Sequence, residues 1–335
     1  MPERLELLRL WLGRQTAIAG IDVRTIEPAS GDASFRRYFR VWSGQNSYIV
    51  MDAPPAQEDC RPFVRVAQML AAAGVNVPRI FCTDLDQGFL LLGDLGSETY
   101  LQRLNSEIDP DTLYRSAIGA LVSMQSGCRS GLDRLPPFDR ALLMQEMALF
   151  KDWLLAAHLD ISLSSREAEK LQQCFDCLCA SALCEQTVFV HRDYHSRNLM
   201  WCEQPPGVLD FQDAVRGPLT YDLVSLLKDC YLSWPRARVL GWIDDYRRQA
   251  SEQGIPLPRA AEFLQRFDLM GVQRHLKASG IFARLWHRDG KSSYLGDIPR
   301  TLKHIIEVES GGPQLVFLQA LIRERILPAL ETAAS

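Results

Sequence analysis

Three oxygen-bearing side chains stand at intervals suited to phosphoryl transfer: Asp193, then Asn198 five residues on, then Asp210, 17 residues after Asp193. An acceptor hydroxyl needs a carboxylate to orient or deprotonate it, and the phosphates need hard oxygen ligands that hold Mg²⁺ against them. Asp193 suits the first task, Asn198 and Asp210 the second. Between the two metal-ligand candidates, 199–202 and 207–211 are apolar and read as short strands. A hairpin there would return Asp210 to the neighbourhood of Asn198. A bare His191-Arg192-Asp193 triplet is a weak signal. The triplet, the Asn offset and a second Asp behind an apolar strand are much stronger together. The competing reading is a turn whose polar residues cap adjacent elements, and the offsets argue against it.

Other polar residues leave two readings open. Arg197 either binds transferring phosphoryl oxygens in a fork or pairs with Asp213 or Asp193. Asp213 either reaches the acceptor or caps a turn. His191 organises the loop. Upstream, Ser30, Gly31, Asp32, Ala33 and Ser34 form a turn that can offer backbone N–H groups to phosphate, although it holds one glycine. On the next strand Arg36 and Arg40 share one face and Arg37 takes the other. Arg37 and Arg40 are candidate nucleotide contacts, with exposed surface charge as the alternative. Tyr231, Trp234, Trp242 and Trp286 would line the apolar face of an acceptor or belong to the core.

These residues need a scaffold of at least two layers. At 335 residues the chain exceeds the length at which one core usually stops growing. Its 47% hydrophobic and 23% charged residues are those of a globular protein. Residues 2–13 read as an amphipathic helix rather than a leader. Strands are expected at 21–26, 35–42, 47–51, 77–83 and 88–92, with a helix at 62–73 that Pro62 opens and Gly74 closes. From Gly96 the periodicity is chiefly helical, near 109–128, 139–157, 165–183, 219–230, 236–252, 258–288 and 313–330. A strand at 187–190 leads into the Asp193 loop. The expected architecture is α+β: a small, mostly antiparallel N-terminal lobe at 1–95 covering the nucleotide, and a helical lobe at 96–335 carrying the catalytic loop and acceptor pocket. Gly93 to Gly96 would be the hinge, with Asp94 and Leu95 against the nucleotide.

Net charge is −4, so no bulk attraction to nucleic acid or anionic membrane is expected. No apolar run reaches the roughly 18–20 residues of a membrane span. The nine cysteines are scattered, and the group Cys174, Cys177, Cys179 and Cys184 lacks a second ligand pair for zinc. They read as reduced structural thiols of a cytoplasmic protein.

The run His191-Arg192-Asp193-Tyr194-His195-Ser196-Arg197-Asn198-Leu199-Met200 matches the kinase catalytic loop H-R-D-x-x-x-x-N, and Asp210-Phe211-Gln212 stands where a kinase has D-F-G. It resembles the aminoglycoside phosphotransferase and choline kinase-like superfamily, in which a histidine commonly follows the catalytic Asp by two, as His195 does. Gly217 to Leu223 resembles that family's lead into a helix, with Asp222 as a buried structural acid. The resemblance spans roughly residues 28 to 285. Gly31 to Tyr38, Val50 to Pro55 and Leu209 to Ala214 are similar to a bacterial branch that phosphorylates the anomeric hydroxyl of N-acetylated cell-wall sugars. The resemblance implies a bilobal protein-kinase-like fold, ATP and Mg²⁺ as cofactors, a small-molecule sugar acceptor and no obligate protein partner. It puts His195, Arg197 and Asp213 on the acceptor side. Two parts depart from the kinase pattern: Met51 stands near the strand-Lys position, and residues 61–73 hold no Glu. Alternatives are therefore another small-molecule kinase, with an aminoglycoside, choline-like or homoserine-like acceptor, or a nucleotide-binding pseudokinase.

Overall fold

A computed structural model describes residues 2–30, 35–106, 109–309 and 311–333. Helix α1 (Pro2–Leu12) precedes strand β1 (Asp22–Ser30), the hairpin of β2 (Arg37–Ser43) and β3 (Asn46–Asp52), helix α2 (Arg61–Ala72), and the hairpin of β4 (Ile80–Asp84) and β5 (Phe89–Gly93). Helices α3 (Tyr100–Leu104), α4 (Pro110–Gly127), α5 (Arg140–Leu149) and α6 (Ser165–Leu183) follow. Four short strands come next: β6 (Thr187–Val190), β7 (Leu199–Met200), β8 (Gly207–Val208) and β9 (Val215–Pro218). The rest is helical: α7 (Tyr221–Leu227), α8 (Arg236–Glu252), α9 (Ala260–Asp289), α10 (Ile298–Ile306), α11 (Gly312–Leu321) and α12 (Leu327–Ala333). The chain forms two compact units, Met1–Ser116 with Arg197–Asp213, and Ala117–Ser196 with Ala214–Ser335.

The first unit is built on an antiparallel sheet of order β1-β2-β3-β5-β4. Strand periodicity gives its two faces different work. Val41, Val50, Phe89 and Leu91 form a core with Leu8, Trp11 and Leu12 of α1. Arg40, Ile49 and Leu92, one residue out of phase and paired across the three strands, belong to the other face. Gly44, at φ +60°, makes the two-residue turn between β2 and β3. Gly88, at φ +72°, leaves no room for a side chain: a Cβ would fall 1.8 Å from the Ala53 carbonyl oxygen. Helix α2 buries Phe63, Val66, Ala67 and Leu70, an i, i+3, i+4, i+7 stripe. The β7–β8 hairpin belongs to this unit and hangs from its backbone: Trp201 N donates to Glu98 O at 2.8 Å and Val208 N to Asn76 O at 2.8 Å.

The second unit is organised around α9, a 30-residue helix ended by Gly290 in the left-handed conformation. Most of its middle is buried, including Asp268, Gln273, Arg274, His275 and Lys277. Gly280 lets the helix approach the backbone where α5 ends; a Cβ there would lie 2.3 Å from the Leu149 carbonyl carbon. The helix expected over 139–157 is α-helical only to Leu149 and continues as a π-helical segment, Phe150–His158. The one expected over 313–330 is likewise interrupted at Ile322–Ile326, just before Pro328, which has no N–H and whose ring crowds the preceding turn. Strand β9, missed in the sequence, pairs with β6 from Thr187↔Pro218 to Val190↔Val215. Helix α10 was also missed.

Candidate active site

In the first unit, a cavity of about 330 Å³ lies against the sheet face opposite α1. Ile49, Leu92, Met200, Leu209 and Phe211 give it apolar walls, and residues 93–97 form one edge. Volume and apolar lining suit a small planar ligand. Arg40 reaches the cavity wall and is held there by Asp94, with Nε to Oδ2 at 2.5 Å and Nη2 to Oδ1 at 3.1 Å. Leu95 lines the same edge. Gly207 lies beneath it, where a Cβ would fall 2.8 Å from the Leu95 Cδ1.

The β7–β8 hairpin brings Asn198 and Asp210 together at this cavity. Leu209 N donates to Asn198 O at 2.9 Å, closing the hairpin ends. Asn198 Nδ2 donates to Asp210 Oδ2 at 3.3 Å, and Gln212 Nε2 to Asp210 Oδ1 at 2.7 Å. Asp210 has φ +63°, a conformation costly for a residue with a side chain, and its neighbour Phe211 packs on Phe63 of α2 at 4.8 Å between ring centroids. One carboxylate and one amide oxygen are hard donors of the kind Mg²⁺ takes alongside substrate phosphates. Among the described residues no group of three or more His, Cys, Asp or Glu forms a protein-only metal cage. Arg197 is exposed on the cavity wall and Asp213 is exposed nearby in sequence.

Arg36 and Arg37, the other two arginines at β2, are engaged by acids. Arg37 pairs with buried Asp52, which also takes Arg4 Nε at 2.6 Å. Arg36 donates to Glu58 at 2.9 Å. Met51 is fully buried between Tyr38 and Leu90, so the strand position of a kinase Lys holds no charge. Ser30 ends β1, while Gly31, Asp32, Ala33 and Ser34 lie outside the described residues.

In the second unit, β6 delivers the loop that carries Asp193. Buried Asp222, at the start of α7, accepts from the backbone N–H of His191 at 2.6 Å and of Arg192 at 3.0 Å. His191 Nδ1 accepts from Asp193 N at 3.3 Å. Ser196 is anchored by Asp229, through its N–H at 3.0 Å and its hydroxyl at 2.5 Å. Arg192 sits at φ +79°, and its guanidinium donates to Glu146 of α5 at 2.7 Å. Arg274 Nη1 donates to the Arg192 carbonyl at 2.9 Å. The loop is thus held by acids from α5 and α7 and a cation from α9.

Asp193 itself is 37% exposed, with Arg274 Nη1 at 3.9 Å and Lys277 Nζ at 4.0 Å from its Oδ1. Burial works against its charge, but Lys277 and Arg274, then His195 and Arg192, outweigh that and hold the carboxyl well below the usual range. His195 packs edge-on to Tyr231 at 5.5 Å. Burial pulls its pKa down to about 4 against the opposing pull of Asp229 and Asp193, so it is neutral at pH 7. Its Nδ1 is buried with no hydrogen-bond partner among the described residues. Trp242 is core, whereas Trp286 is 39% exposed.

Arg274, Lys277 and Glu146 were not anticipated. The available signal was a cluster of polar residues, Gln273, Arg274, His275 and Lys277, set between the apolar stretches Leu269 to Val272 and Ala278 to Phe282.

The model of the phosphotransferase enzyme family matches residues 25–264. A relative from Pseudomonas aeruginosa named N-acetylmuramate/N-acetylglucosamine kinase is 52% identical over 296 residues, 88% of this chain and 87% of its own. One of the same name from Pseudomonas putida is 48% identical over 336 residues, 97% of this chain and 98% of its own. Among solved structures, an ADP-bound aminoglycoside phosphotransferase superposes with a TM-score of 0.58 at 15% identity, covering 89% of this chain and 97% of that one. That likeness gives the protein-kinase-like fold.

Proposed function

The chain belongs to the phosphotransferase enzyme family, and from that premise we propose that it transfers the γ-phosphoryl group of ATP to the anomeric hydroxyl of N-acetylmuramate or N-acetylglucosamine. The observation that carries the acceptor is the name shared by two relatives at 52% and 48% identity, each matched over most of its length. The reaction class is supported by the residues themselves. Asn198 and Asp210 meet at a cavity of suitable size, and Asp193 stands on a loop braced by charged groups.

Asp193 would accept a hydrogen bond from the sugar hydroxyl and take its proton as the new P–O bond forms. The carboxylate is already anionic at neutral pH and needs no activation. Asn198 and Asp210 would hold Mg²⁺, which when bound neutralises charge on the phosphates. The apolar slot between Ile49, Leu92 and Leu209 would take the nucleotide base, with Asp94 and Leu95 at its edge. Arg40 is the arginine of β2 that lines this cavity, and it fits the nucleotide-facing role. Arg37, braced on Asp52, would steady β2 on β3. Arg197 would contact the transferring group, and His195 and Asp213 the sugar. Positioning and charge neutralisation would supply most of the rate.

The test is ³¹P NMR of the protein with ATP, Mg²⁺ and either sugar. A Mg²⁺-dependent sugar 1-phosphate resonance, absent in Asp193→Ala, is expected. ATP turnover with other acceptors alone would retain the kinase and reject the sugar. No transfer to any acceptor would leave a nucleotide-binding module.

A further inference from the structure

Helix α9 brings two cations, Arg274 and Lys277, to one side of Asp193. Each is almost fully buried, at 6% and 5% exposure, whereas Asp193 is 37% exposed. They stand three residues apart and so share a helix face. Both approach the same carboxylate oxygen, Oδ1, at 3.9 and 4.0 Å. Those distances lie beyond a direct hydrogen bond, so the interaction is a field across a short gap.

Lys277 is itself fixed by two partners. Its ammonium lies 3.1 Å from Glu146 Oε1 and donates to the Tyr221 hydroxyl at 3.0 Å. Glu146, 4% exposed, also receives Arg192 Nη2 at 2.7 Å and Gln273 Nε2 at 3.1 Å. A buried ammonium needs such partners to stay charged. Lys277 therefore has two plausible uses in the fold: counter-ion to Glu146, or field source for Asp193. We infer that it is a positioning residue for phosphoryl transfer, holding the Asp193 carboxylate anionic and oriented from its Oδ1 side. This rests on Asp193 being the group that meets the acceptor hydroxyl. Among the described interactions, the charged and titratable groups facing Asp193 are Arg274 and Lys277 from α9, Arg192, His191 and His195 from its own loop, and Tyr221 from α7. Lys277 lies within 4.0 Å of both the Glu146 and the Asp193 carboxylates.

The experiment compares wild type, Lys277→Met, Lys277→Arg and the double variant Glu146→Gln/Lys277→Met, all checked for fold by circular dichroism. The double variant removes the buried acid together with its counter-ion, so no unpaired charge is left behind. In Lys277→Met, kcat at pH 7 is expected to fall by about 10- to 100-fold, while KM for the sugar and for ATP changes by less than about threefold. The acid limb of kcat is expected to rise by about one pH unit or more, the effect of removing one opposite charge at this range. Lys277→Arg should restore most of kcat, and the double variant should stay slow with the raised acid limb. A double variant with wild-type kcat and an unshifted acid limb would overturn the inference and make Lys277 a counter-ion to Glu146. Equal losses in the Arg and Met variants would also overturn it, since retained charge would then be without effect. A wild-type enzyme that transfers no phosphoryl group would instead overturn the reading of Asp193 on which the inference rests.

Discussion

On the proposed reading, Asp193 is the carboxylate that meets a neutral hydroxyl; such a group does best if it never spends time protonated, and its surroundings arrange this. Lys277 and Arg274 outweigh the cost of burial, so its folded-state pKa lies below the usual carboxylate range. For a lowered acid, the ionised form is complete at neutral pH and is lost only as pH falls through the lowered value. His195, drawn down to about 4, is neutral well above that pH. Neither group changes charge from about pH 5.5 to 8, so kcat in saturating substrate should show no limb from either there. A steady-state pH profile checks this, and a limb near 6.5 that vanishes in His195→Gln would contradict it. Asp193→Asn should lower kcat by about 10²- to 10⁴-fold and leave the circular dichroism spectrum unchanged. Asp210→Asn keeps the Gln212 contact geometry but loses the charge that the proposed Mg²⁺ site would use. It should raise the Mg²⁺ concentration for half-maximal rate by at least about tenfold, as a metal titration would read.

At the scale of elements, tight backbone approaches set the positions of these side chains. Gly280 of α9 lies so close to the end of α5 that a methyl group would fall 2.3 Å from a backbone carbon. Gly280→Ala must push α9 away from α5, and with it Lys277 away from Glu146. Overpacking of this kind costs about 1–3 kcal/mol or more, to be measured by urea unfolding, with kcat falling alongside. The elements differ in how far the sequence revealed them. Asn198 and Asp210 were legible as a pair because a short apolar hairpin separates them, and local pattern is enough to fold it. Asp222 was legible through the run Gly217 to Leu223. Strand β9 was not: Val215-Arg216-Gly217-Pro218 reads as a lead into a helix, and its partner β6 lies 25 residues upstream even at the nearest paired positions, Val190 and Val215. Lys277 escaped for a like reason. Its partner Glu146 is 131 residues away, and nothing local distinguishes a buried ion pair from an exposed helical charge.

Across the molecule, buried charge also sets how stability responds to pH. Glu185, after α6, accepts from the Thr220 N–H and hydroxyl, both at 2.8 Å, yet burial raises its pKa to about 7. The folded protein therefore keeps a proton that the unfolded chain gives up. Stability is greatest below about pH 4.5 as far as this group is concerned, falls as pH rises toward 7, and is level above. Glu185→Gln removes that loss and should raise the unfolding free energy at pH 8 by about 1–3 kcal/mol, with little change at pH 4.5, in denaturant titrations at both pH values. The chain's path through its two units has a different consequence. Residues 1–116 share one compact unit with residues 197–213, which supply the hairpin under the cavity and the Phe211 ring that packs on Phe63. During translation, then, the first unit to be synthesised is not the first that can be finished. A nascent chain halted after residue 116 would present the bare apolar cavity wall, and the cavity's lining would be complete only after Phe211 had emerged.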